Sequence, residues 1–153
     1  MGAQGDFDFT PADATARFDR GFALELGFEF LEYADGRVVL GMQVQDKHLN
    51  LAGVIHGGIL ASLMDIAGGA TGTYCPYRDR VRKVLTLSLT TTYTGQAGPG
   101  HIRAIATRRA GGRRIFNASV EILDDDDRLL AMGEGTFRLR SGSEDPRGVA
   151  FEG

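Results

Sequence analysis

Cysteine is almost missing from this chain. Cys75 is the only one, which excludes an intrachain disulfide framework and any multi-cysteine zinc or iron–sulfur site, and it fits a reducing compartment. Long apolar runs are missing too, since none approaches the roughly 18 residues that a spanning helix needs. Residues 1–8 carry acid rather than base and lead into no apolar segment, so no secretory signal is expected and the expected location is the cytoplasm. The basic excess of a nucleic-acid binder is absent: 17 Lys and Arg against 20 Asp and Glu leave a formal charge of -3. Internal repeats are also lacking. What remains is an ordinary globular composition, 42% hydrophobic and 24% charged over 153 residues. That is one domain's length, enough to bury roughly 70% of the unfolded chain's surface without staples.

Thr10, Pro11 and Asp13 form a helix start, with a hydroxyl cap, proline at the first helical position and an acid three residues after the cap, which predicts a short helix over about 10–20. Strands are expected over 22–33 and 37–45, joined by the tight hairpin that Ala34, Asp35 and Gly36 signal. After a loop over 46–56, residues 57 to about 74 are apolar nearly all round, as in a helix enclosed by other structure. Gly68, Gly69 and Gly72 would let neighbours come close to it. Four further strands are expected over 84–94, 100–110, 113–123 and 128–139, with a two-residue turn at Gly111 and Gly112 and an acidic turn at Asp124 to Asp127. In the first of them Leu85, Leu87 and Leu89 alternate with Thr86, Ser88 and Thr90, which predicts a buried leucine face. The pattern predicts an α+β domain, an antiparallel sheet of about six strands wrapped around one long central helix. It comprises an N-terminal segment over 1–20, the domain proper over 21–140 and a flexible tail over 141–153.

Chemistry concentrates in Asn50, His56, Gly57 and Gly58, followed by Asp65. Asp65 is the only charged side chain between Gly58 and Tyr74, and a carboxylate in apolar surroundings is costly unless it is paired or faces a wet cleft. Gly57 and Gly58 stand where the helix begins, so their N–H groups lack intrahelical partners and the positive end of the helix dipole lies there, an arrangement suited to an oxyanion. The bland readings are a glycine turn and a solvated or inter-subunit Asp65. Eight residues separate Gly57 from Asp65, about 12 Å along one helix at 1.5 Å per residue. Both can serve one carbonyl only across a two-fold dimer with antiparallel central helices, which predicts two shared sites per homodimer.

The hairpin, the His-Gly-Gly sequence at 56–58, Asp65 and the threonine-rich strand ending Thr92-Tyr93-Thr94 resemble the hotdog-fold acyl-CoA thioesterases. More narrowly they resemble the phenylacetate-pathway type within the 4-hydroxybenzoyl-CoA thioesterase superfamily, over roughly residues 20–140. The resemblance implies a thioester hydrolase that needs no cofactor or metal, coenzyme A being part of its substrate. It implies Asp65 as general base or nucleophile, the Gly57 N–H as carbonyl polariser, Asn50 and His56 as orienting groups, and Thr86 in a secondary role. Gly58 would adjoin the substrate, and an acyl pocket lined by Leu60, Met64 and Tyr74 would lie between the two helices of a dimer that pairs into a tetramer. For the coenzyme A phosphates there are two arginine groups, Arg78, Arg80 and Arg82 with Lys83, and Arg108, Arg109, Arg113 and Arg114; Arg113 and Arg114, after a glycine turn, rank first. Gln96 stands where the family commonly has proline, which leaves the acyl specificity open. No nucleic-acid or membrane partner is implied. The rival readings are an acyl-CoA-binding hotdog protein without hydrolysis and a hotdog hydratase or dehydratase, which would set a histidine and an acid at a different spacing.

Overall fold

A computed structural model describes residues 8–153, so the acidic start at 1–7 lies outside the described residues. Helix α1, Pro11–Phe18, begins as the sequence predicts: the Asp13 N–H donates to Thr10 Oγ1 and the Thr10 N–H to the Asp13 carboxylate. It docks on the sheet through the Phe30 N–H, which donates to Thr15 Oγ1 at 2.8 Å, and through the Phe18 ring, which meets those of Phe28 and Phe30.

The expected strand over 22–33 is in fact a helix followed by a strand. Gly21–Leu26 forms α2, ended by Gly27 in the left-handed conformation at φ 79°, and β1 is confined to Phe28–Ala34. Only glycine takes that backbone geometry cheaply, so Gly27 stops the helix where a plain strand reading continues through it. Strand β2, Arg37–Val44, returns across the predicted hairpin. A 3₁₀ turn at Asp46–His48 and a loop lead into α3, Gly57–Ala70. Beyond α3 come β3 (Arg80–Val81), β4 (Val84–Tyr93), β5 (Gly100–Gly111), β6 (Ile115–Asp124), β7 (Leu129–Leu139) and β8 (Val149–Ala150).

Six strands form one antiparallel sheet in the order β1-β2-β5-β6-β7-β4, and α3 packs against one face of it, touching β2, β4, β5, β6 and β7. Leu60, Leu63, Met64 and Ala67 of α3 are buried with Val38, Leu40, Ala104, Val120 and Ile122 of the strands. A side chain at Gly68 would crowd the Phe137 ring, so the small residues of α3 admit an aromatic ring from the sheet. Strand β4 lies at the edge opposite β1. The short connection from β4 to β5 is therefore a crossing rather than a hairpin, and it passes beside the loop before α3, where the Ile55 N–H donates to Ala97 O. Gly111 extends β5, and the next turn spans Gly112 to Arg114, closed by the Gly112 N–H to Ile115 O, rather than consisting of the two glycines alone. The tail, expected to hang free, carries β8, which pairs with β3, and Arg80 donates to the carbonyls of Arg147 and Gly148.

Candidate active site

The loop that enters α3 is held by its own polar groups. Asn50 Oδ1 accepts from the N–H groups of Ala52 (2.9 Å) and Val54 (3.3 Å), and Gly53 takes a positive φ of 76°. The buried His48 ring accepts from the Gln45 N–H at Nδ1 and meets Leu26 O at Nε2, the pattern of a neutral ring protonated at Nε2. Its carbonyl accepts from the His56 N–H at 2.8 Å, which fixes the residue before the helix. Nothing in the sequence alone distinguishes His48 from a surface histidine.

His56 is the N-cap of α3, its Nδ1 accepting from the Gly58 N–H at 2.9 Å. Gly58 is thus occupied as a donor. The Gly57 N–H has no acceptor among the described residues, and it stands at the positive end of a 14-residue helix. Tyr93 braces this end, its hydroxyl donating to Gly57 O at 2.9 Å while its ring lies where a side chain on Gly57 would be crowded. Tyr93 belongs to the threonine-rich strand, but its contact is invisible without the fold.

Further along α3, Asp65 Oδ1 accepts from Thr86 Oγ1 at 2.6 Å, the short distance of a hydroxyl bonded to a carboxylate. A register shift in the β4–β7 pairing between Thr86 and Ser88 brings this about. It leaves Leu85 and Leu87 43% and 50% exposed and sends Thr86 to the helix, while Leu89 beyond the shift packs on the core. The predicted face of three leucines is therefore broken after Leu87.

Asp65 and Thr86 form one wall of a cavity of about 460 Å³ that continues past Ile66, Gly69 and Ala70 toward Thr73. Leu60 (4% exposed) and Met64 (0%) do not line it, because their helical positions face the sheet. Tyr74 lies beyond the helix with its ring 5.1 Å from that of Tyr33, and it shares a different cavity with Arg113. Arg114 is exposed, and its carbonyl accepts from the Leu139 N–H. The structure thus gathers Asn50, His56, Gly57 and Gly58 at one end of α3 and Asp65 with Thr86 farther along, and leaves Leu60, Met64, Tyr74, Arg113 and Arg114 elsewhere. Among the described residues no group of three or more His, Cys, Asp or Glu could hold a metal ion, and no helix is long and apolar enough to cross a membrane.

The family described as the thioesterase superfamily matches residues 52–131. A Pseudomonas aeruginosa protein that carries an esterase name is 31% identical over 108 residues, 69% of this chain and 78% of that one. Among solved structures, zebrafish thioesterase superfamily member 2 superposes with a TM-score of 0.71 at 28% identity, over 82% of this chain and 91% of that one. A mutant of the phenylacetic acid degradation protein PaaI from Thermus thermophilus superposes with a TM-score of 0.66 at 29% identity, over 76% and 96%.

Proposed function

Because the chain belongs to the thioesterase superfamily and has the hotdog fold, we propose that it hydrolyses an acyl-CoA thioester to the free acid and coenzyme A. The observation that carries this reading is the hydrogen bond from Thr86 to Asp65, which fixes the carboxylate at the wall of a cavity lined by apolar and cationic side chains. Asp65 takes a proton from water as the water oxygen attacks the thioester carbon, and Thr86 orients it. The Gly57 N–H and the helix dipole receive the charge that develops on the carbonyl oxygen. As the C–S bond breaks, the proton held on Asp65 passes to the departing sulfur. Asn50 and His56 shape the loop beside the carbonyl. The alternative, in which Asp65 attacks as a nucleophile through an anhydride, uses the same groups. Water is the sole co-reactant in either route, so no cofactor is required.

Gly57 and Asp65 are about 12 Å apart along α3, so the proposed site is completed by a second copy of the chain. Two features support that pairing. Strand β4 is an edge strand whose unpaired backbone can extend the sheet, and along α3 Gly58 is exposed and Ser62, Asp65 and Ile66 are only half-buried by the single chain. A further pairing into a tetramer is part of the same proposal, as is a cytoplasmic location.

The test is release of free thiol from a panel of aromatic and aliphatic acyl-CoAs by the wild type and Asp65→Asn. The variant is expected to lose most turnover while binding acyl-CoA within about tenfold of the wild type, since the shape is kept and the base is lost. Near-normal hydrolysis by the variant would remove Asp65 from the mechanism.

A further inference from the structure

The cavity beside Asp65 carries an excess of positive charge. Five cationic side chains line it, Arg17, Arg20, Arg82, Lys83 and Arg140, against the single carboxylate of Asp65. Some arginines elsewhere are matched, Arg37 with Glu32, Arg103 with Asp127 and Arg128 with Asp124. None of the five cavity cations has an ion-pair partner among the described residues. Arg17, Arg20 and Arg82 are held by neutral groups instead, while Lys83 and Arg140 are exposed. Arg17, 8% exposed, donates to the carbonyls of Cys75 (2.9 Å) and Tyr77 (2.6 Å), and the Arg20 guanidinium lies 4.8 Å from the Phe151 ring centroid. Arg82, half-buried, donates from Nε to Ser143 O at 2.8 Å, and burial lowers its pKa from the usual guanidinium value. Bonds of this kind position a guanidinium without neutralising it, and a desolvated cation left in that state favours an anion brought to it.

Position decides which anion. The cavity starts at Asp65, where the reacting carbonyl of the proposed reaction would lie, runs about 7–8 Å along α3 to Ala70 and continues past the helix end to Thr73, away from the Gly57 end. Arg17 is tied to the backbone just beyond Thr73, so it marks the far end. The intervening wall, Phe18, Ala23, Ile66, Ala70 and Val84, is apolar and suits a methylene chain. The phosphates of coenzyme A are separated from its sulfur by the whole pantetheine arm, which leaves the carbonyl carbon by a different bond from the acyl chain. An acyl group extending from the carbonyl, by contrast, ends among these cations.

We propose that this cavity takes acyl groups that end in an anion, which makes short-chain ω-carboxyacyl thioesters the substrate class of the site. The proposal rests on the thioesterase reading above and deepens it. The experiment compares kcat/KM for adipoyl and hexanoyl groups, each as the coenzyme A thioester and as the phosphate-free N-acetylcysteamine thioester. It uses the wild type and the Arg20→Gln, Arg140→Gln double variant. A preference for adipoyl of about tenfold or more, the scale of a charge-assisted contact, is expected with both carriers, and the double variant is expected to bring the ratio toward one. A wild-type ratio at or below one overturns the proposal. So does a loss in the variant that is equal for both acyl groups and disappears with the N-acetylcysteamine thioesters, since the cations would then serve the phosphates. If no thioester is turned over at all, it is the hydrolase reading that fails. Calorimetric titration with adipate and hexanoate then decides the cavity separately: tighter binding of adipate that the double variant abolishes upholds it, and equal or absent binding overturns it.

Discussion

The single hydroxyl proton of Thr86 goes to Asp65 over 2.6 Å, so Thr86 acts on the reaction by positioning the carboxylate. Thr86→Val keeps the β-branched shape and deletes the donor. It is expected to lower kcat about tenfold or more with KM little changed, in line with the worth of a hydrogen bond to a charged group, while Thr86→Ser restores most of the rate; steady-state kinetics on one acyl-CoA reads both. At this scale the sequence exposes the residues whose type is out of place: a lone acid in an apolar helix and paired glycines at a helix start. It does not expose Leu60 and Met64 as core residues, because a helix apolar on every side offers no phase to its periodicity and only the sheet decides which side is covered. Nor does it expose the five cavity cations, which lie far apart along the chain and meet only through the fold.

Helix α3 has both ends under steric control from the sheet. Just beyond it, a methyl group at Gly72 would run into the ring of Phe116, which is stacked on Phe137 at 5.4 Å and has little room to retreat. Gly72→Ala is therefore expected to destabilise the fold by about 1–3 kcal/mol, the usual cost of overpacking, measured by denaturant unfolding. In the turn between β6 and β7, the Arg128 guanidinium, bonded to Asp124 Oδ2 at 2.8 Å, holds the Asp124 carboxyl below its usual range, aided by the N–H groups of Arg128 and Asp126. A depressed folded-state pKa gives stability that is present above the unfolded value near 3.9 and lost as pH falls through the folded one. Asp124→Asn should accordingly narrow the gap between the thermal midpoints at pH 7 and pH 3. Six sheet strands and the central helix are legible from periodicity, whereas α2 and the β4 register shift are not. A six-residue helix is too short to impose a period, and a one-residue slip looks in the sequence like unbroken alternation.

The whole molecule presents β4 at the edge of its sheet, with Leu85 and Leu87 half-exposed, and the proposed dimer covers that edge. Leu87→Lys places a charge on the edge, a standard obstacle to strand pairing. It is expected to shift the protein toward monomer in analytical ultracentrifugation and to remove turnover in parallel, because each proposed site draws on two chains. A variant that is monomeric and fully active would separate the site from the dimer. The same strand has a consequence for how the protein is made. Residues 84–93 contain no charge, proline or glycine, and their sheet partner within the chain is β7, which is synthesised only after β5 and β6. Until β7 leaves the ribosome, this uncharged, β-favouring segment has no neighbour of its own and matches the composition of segments that stack into cross-β aggregates. Recombinant yield is therefore expected to depend on how long nascent chains wait for β7, and a chaperone that shields β4 is expected to raise the soluble fraction, measured against total protein after lysis.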